Sequence, residues 1–136
     1  RGVMHSEFNP QSDAQTHLLQ IWIEPDVEGI TPEYEEKAFS DDQKRGRLCQ
    51  LVSPDGADGS MRIHQDARLY AGLFDGQERT TLEISPSRKA WVHVARGRIM
   101  VNGQDLHAGD AVGLLDEIEI TLEHGHKAEV LVFDLA

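Results

Sequence analysis

The sequence predicts an all-β domain, a sandwich or barrel, on three observations. Apolar residues recur mostly with period two, the alternation of a half-buried strand and not the repeat of about 3.6 residues that marks a helix. The alternating runs are short and closely spaced. Between them fall tight-turn signals: Pro54-Asp55-Gly56, Asp58-Gly59, Asp75-Gly76, Asn102-Gly103, Ala108-Gly109-Asp110 and His124-Gly125. A chain of 136 residues has the size of one ordinary domain and can bury a core.

The first alternating run, residues 18–23, puts Leu19, Ile21 and Ile23 on one face and Leu18, Gln20 and Trp22 on the other. Residues 24–47 are rich in charge and carry Pro25, Gly29 and Pro32. They read as an ordered connection between two units, anchored by Ile30, Tyr34 and Phe39. Near its end Ser40 caps a helix start, Asp41 and Asp42 follow, Lys44 and Arg45 come late and Gly46 closes it, which suits one or two helical turns. Strands are then expected over 48–52, 61–63, 67–74, 80–84, 90–95, 99–101, 111–115, 118–122 and 128–133. Asn102-Gly103 is a type I′ hairpin candidate.

The formal net charge of -11 argues against binding nucleic acid through its phosphates, which takes a basic surface. No apolar run reaches membrane-spanning length, and no basic-then-apolar leader is read. Cys49 is the only cysteine, so no intrachain disulfide can form and a reducing, cytoplasmic location is expected. It sits between Leu48 and Leu51 as a small buried hydrophobe would. The chain opens at Arg1, inside a patterned segment, and reads as part of a longer polypeptide.

The opening stretch Gly2-Val3-Met4-His5-Ser6-Glu7-Phe8-Asn9-Pro10 carries the chemistry. On an extended strand His5 and Glu7 project to one face. An imidazole and a carboxylate converging there suit a divalent first-row metal. Two ligands alone make a poor site, and from the residues by themselves the plainer reading is a polar pair on an exposed strand. Asn9 before Pro10 reads as a turn former. His124-Gly125-His126 is the only H-x-H here, and its predicted place at a tight turn makes it a solvated hairpin open to adventitious nickel or zinc. His17 reads as an edge residue, and His64, His93 and His107 are isolated core or rim histidines.

This opening motif, followed by His17-Leu18-Leu19-Gln20-Ile21-Trp22-Ile23 and by Pro32-Glu33-Tyr34-Glu35, resembles the middle of a pirin-family protein, nearest to the bacterial pirin-like quercetinases. Those proteins are bicupins, two β-barrel cupin domains in tandem. Arg96-Gly97-Arg98-Ile99-Met100-Val101-Asn102-Gly103 and Leu106-His107-Ala108-Gly109-Asp110 resemble their C-terminal cupin. The resemblance implies residues 1–24 as a remnant of the N-terminal, metal-binding cupin, 25–47 as the connection and 48–136 as the C-terminal cupin, a jelly-roll-like barrel. It implies a metal, usually iron, held by three histidines and a glutamate, with His5 and Glu7 as the trailing ligands. The leading H-x-H strand is absent from this chain. The implied substrates are a quercetin-type flavonol and dioxygen, with ring opening and loss of carbon monoxide, and Glu7 as ligand and proton acceptor. The family also contains an iron-dependent transcription cofactor, so a redox-sensing protein-interaction module is the alternative, and an inert structural barrel is a third.

The general cupin pattern places its own ligands in the second barrel at set distances before a glycine. With Gly97 in that place, the glutamate position falls on Ala90 and the histidine positions within 83–86. No histidine is found there, nor in 116–122 where a last ligand belongs. The second barrel is therefore expected to be metal-free.

Overall fold

The computed structural model describes residues 4–136; Gly2 and Val3, which open the motif above, and Arg1 lie outside the described residues. A short helix, α1 (Asp41–Lys44), precedes strands β1 (Leu48–Ser53), β2 (Met61–Arg62), β3 (Ala67–Phe74), β4 (Thr80–Glu83), β5 (Lys89–Val101), β6 (Gln104–His107), β7 (Ala111–Leu114) and β8 (Glu119–Leu135). The expected helix is present, with a full capping box. The Ser40 hydroxyl accepts from the Gln43 N–H, and the Gln43 side-chain oxygen accepts from the Ser40 N–H at 2.8 Å.

The eight strands make one sheet in the order β2-β1-β3-β8-β5-β6, with β4 added to β8 and β7 to β5. β5 and β8 are the spine. The C-terminal part of β8 pairs β3 and its N-terminal part pairs β4, while β5 pairs β7 with one half and β6 with the other. Both spine strands bend in the middle, where their register slips between Val94 and Met100. The bend folds the sheet on itself. Val92, Val94, Val130 and Val132 from one half then join Ile99, Val101, Ile120 and Leu122 from the other in a single core, with Phe74 at its centre fully buried.

At this bend the structure corrects the sequence reading. Runs 90–95 and 99–101 are one strand, as are 118–122 and 128–133, and His124-Gly125 is no turn. The inward positions on β5 change from even numbers (Val92, Val94) to odd ones (Ile99, Val101). A bulge inserts unpaired residues and shifts the phase of alternation, which on paper looks like one strand ending and another beginning. Gly97 takes φ of 71°, and His124 and Lys127 take φ of 54° and 46°. The Asn102-Gly103 turn is borne out: both residues have positive φ (45° and 78°), as type I′ requires. It leads into β6, which the sequence reading missed because Leu106 is its only buried side chain.

Two further expectations fail. Residues 18–23 form no strand, since a strand needs a backbone partner and none of the described strands pairs with them. Tyr34 does not anchor the connection: it is 86% exposed, and its hydroxyl donates to Glu36 at 2.7 Å. Polar contacts fix the connection instead. Gln65 donates to the Glu24 carbonyl and the Asp26 N–H to the His64 carbonyl, each at 2.8 Å, and the Arg62 N–H donates to the Glu35 carboxylate at 3.1 Å. Ile30 and Phe39 are half-buried as expected. Among the described residues no helix is long and apolar enough to cross a membrane.

Candidate functional site

His5 and Glu7 are exposed and lie in a stretch without strand pairing. Asn9 makes the expected turn, its side-chain oxygen accepting from the Gln11 N–H at 3.1 Å and its amide donating to the Ala14 carbonyl at 2.6 Å. The Glu36 carboxylate that accepts the Tyr34 hydroxyl raises that phenol above its ordinary range, with a smaller contribution from the charge of Glu7. Among the described residues no group of three or more His, Cys, Asp or Glu side chains comes together as a metal site. Two donors fall short of the three or more protein ligands such a site takes, so the residues of this chain do not by themselves fit a resident metal. Accordingly the 136-residue chain should keep well under one equivalent of metal after dialysis at neutral pH. Elemental analysis checks this; a full equivalent, lost in His5→Ala, would require further ligands from elsewhere.

Inside the folded sheet, the positions where a cupin carries ligands are apolar. Ala90 is buried in the core, and in the 83–86 window the only buried residue is Ile84. Valines and isoleucines fill the space between the two halves. Burying an unpaired charge among them would be costly, so this interior is built for packing.

A concavity lies on the opposite, outer face of the sheet. It is a cleft of about 630 Å³ between residues 19–24 and strands β5 and β8. Trp91 and His93 of β5 point into it beside Leu131 and Phe133 of β8, in register as Trp91 opposite Phe133 and His93 opposite Leu131. The Trp91 ring packs across Gly113 of β7. Although residues 18–23 are unpaired, their alternation survives: Leu19, Ile21 and Ile23 are less exposed than Leu18 and Trp22. The cleft was missed from sequence. The signal for it was the unbroken run from Val130 to Phe133, apolar on both faces, which marks a strand covered on both sides.

The other histidines are dispersed. His17 accepts from Arg96 Nε at 3.1 Å, His64 Nε2 lies 3.2 Å from Glu33, and His107 Nδ1 is 3.8 Å from Asp110. His124 and His126 are exposed as expected, but they flank the buried Gly125 within β8, and His126 lies 4.0 Å from Asp75. Cys49 is free and half-buried on β1, opposite Ala71.

A folded β-sheet with jelly-roll-like pairing and a solidly apolar interior defines a cupin-class domain. Residues 50–135 match the family model of the quercetinase C-terminal cupin domain, and the chain belongs to the pirin-like quercetinase family. It is 41% identical over 134 residues to quercetin 2,3-dioxygenase of Escherichia coli (strain K12), covering 98% of this chain and 57% of that protein. A pirin-like protein of Caulobacter vibrioides is 34% identical over 137 residues, covering 99% and 58%. The crystal structure of YhhW from Escherichia coli superposes with a TM-score of 0.78 at 35% identity, covering 85% of this chain and 48% of that one. A structure of the bacterial pirin YhhW in complex with nickel(II) gives 0.75 at 33% identity, covering 82% and 47%. The chain thus spans somewhat over half the length of the curated relatives it matches.

Proposed function

We propose that this chain is the C-terminal portion of a pirin-like dioxygenase that opens quercetin-type flavonols with dioxygen. The observation that carries the reading is 41% identity to a quercetin 2,3-dioxygenase over an alignment that covers 98% of this chain, the His5 and Glu7 segment included. In this reading residues 1–24 close an N-terminal metal-binding cupin, 25–47 connect, and 48–136 form a C-terminal cupin without a metal. The apolar side chains at positions 84 and 90 support the last assignment. His5 and Glu7 are two ligands of a divalent metal, iron by family resemblance, although the bacterial pirin YhhW has been crystallised in complex with nickel(II). Because this chain supplies only two of the donors, no step of the reaction is assigned to the metal. Glu7 is assigned in this proposal as the acceptor of the flavonol proton, since a carboxylate beside a bound hydroxyl can serve as a general base. A cytoplasmic setting is part of this proposal, with Cys49 as a free thiol.

The test is oxygen uptake and carbon monoxide release on quercetin by the longer polypeptide loaded with metal. Turnover is expected, and Glu7→Gln should lower it by about 100-fold or more. If the loaded protein does not turn over while Glu7→Gln still abolishes metal binding, the enzyme reading fails and a metal-dependent interaction module takes its place.

A further inference from the structure

A second cleft, of about 390 Å³, lies where the bulged parts of β5 and β8 meet the end of α1, and charged side chains line it. Three of them are exposed cations: Arg45 after α1, Arg96 of β5 and Lys127 of β8. The three carboxylates of the lining are already engaged. Asp41 pairs with Lys44 at 3.3 Å, Glu129 lies 3.5 Å from Arg96 Nε, and Asp75 accepts from the Lys127 N–H at 3.2 Å. The cations are not. Among the described residues the Arg45 guanidinium and the Lys127 ammonium make no hydrogen bond or ion pair, and Arg96 uses only Nε, toward His17 and Glu129. Unspent donors of two guanidinium groups and one ammonium therefore face a single cleft.

Lys127 is presented there at a cost to the backbone. Its φ of 46° is a left-handed conformation that a residue with a Cβ disfavours. Two bonds hold it in place: its own N–H donates to Asp75, and the Gly76 N–H donates to the Gly125 carbonyl at 2.9 Å. A bulge re-aims the side chain it carries, and strain kept up by its surroundings points to a use for that side chain. Arg45 is also fixed by backbone, since the Gly46 N–H donates to the Leu73 carbonyl at 2.8 Å and ties the end of α1 to β3. The apolar residues of the lining are Leu73 and Ala128, which offer little to an aromatic ligand. With a formal net charge of -11 on the chain, a gathering of three cations is no general basic surface.

We propose that this cleft binds a phosphate group, free or as a small monoester, through Arg45, Arg96 and Lys127. Guanidinium forks and an ammonium give phosphate oxygens strong, charge-assisted hydrogen bonds. Arg96 keeps its Nε on His17 and binds through its two Nη atoms. The site shares no residue with the His5 and Glu7 motif and is independent of the flavonol reading.

Titrating the 136-residue chain with inorganic phosphate at constant ionic strength, followed by amide NMR shifts, tests it. Saturable shifts are expected at Arg45, at Arg96 and from Lys127 to Glu129, with no matching response to chloride. Lys127→Gly and Arg45→Gln should each weaken binding by about 10-fold or more. Glycine takes a positive φ freely, so Lys127→Gly should also keep or raise the melting temperature, which separates lost binding from lost fold. Shifts that do not saturate, saturable shifts confined to other residues, or unchanged affinity in either variant overturn the site. Glycerol phosphate supplies the remaining arm. Binding at least as tight as that of inorganic phosphate makes a monoester the occupant, and its exclusion makes the occupant the free ion.

Discussion

Gly97→Ala should strongly destabilise the domain. Gly97 sits at the bend of β5 with φ of 71°, a left-handed conformation that costs an alanine about 1 kcal/mol. Space decides the rest. A Cβ at this position would lie 2.2 Å from the Lys127 carbonyl oxygen and 2.4 Å from that of His126. Those atoms belong to the bulged part of β8, so relief requires the two spine strands to separate where the sheet folds. With overpacking added, the loss is on the order of 3 kcal/mol, a large part of the stability of a domain this size. Gly103→Ala is the matched control. Its φ is 78°, but nothing lies within 4 Å of the added methyl, so only the backbone cost of about 1 kcal/mol applies. Urea denaturation should give midpoints that fall far for Gly97→Ala and little for Gly103→Ala.

Arg88→Met should produce the second large loss. The Arg88 guanidinium lies between strands β4 and β5 in the chain and gathers two distant carboxylates. Nη1 reaches both oxygens of Asp66 at 2.9 Å, Nε donates to Asp134, and Nη2 reaches the Asp66 carbonyl at 3.1 Å. Asp134, on β8, is 7% exposed. Removing the arginine leaves that buried charge with Arg68 at 3.5 Å as its remaining cation. Breaking such a pair from one side costs about 3 kcal/mol, or a fall in melting temperature of about 10 °C. The pH dependence has a definite sign. The hydrogen bonds from Arg88 hold the Asp66 carboxyl below its ordinary value of 3.8. A depressed carboxylate contributes stability that is complete above that value and is lost as pH falls through the lower one in the folded protein. The gap between wild type and Arg88→Met should therefore be full at neutral pH and narrow below pH 3.8, as melting curves across the acid range would show.

Much of the fold was legible in the residues because each legible part was local. Ser40 and Gln43 cap a helix through atoms three residues apart. Asn102-Gly103 turns a hairpin because two adjacent residues accept positive φ. The strand over Ala67–Phe74 alternates in its own sequence. Of the candidate site, the motif around His5 and Glu7 was enough to place the chain in its family, through a pattern that no other part of the protein has to complete.

What the sequence left open was decided by contacts between residues far apart. Whether the phase slip between Val94 and Ile99 was a turn or a bulge depended on β8 running unbroken alongside, and the price in backbone strain is borne by Gly97 against the carbonyls of residues 126 and 127. Whether residues 18–23 formed a strand depended on a partner, because a strand's hydrogen bonds lie outside itself. The cleft at Trp91 likewise exists only because β5, β8 and residues 19–24 meet. By itself the sequence determined the all-β class, the local turns and caps, and the family. Tertiary structure alone decided where the sheet folds, that its interior is solid, and that its open apolar face lies on the outside. Alternation fixes which side chains share a face, while long-range pairing fixes what that face meets.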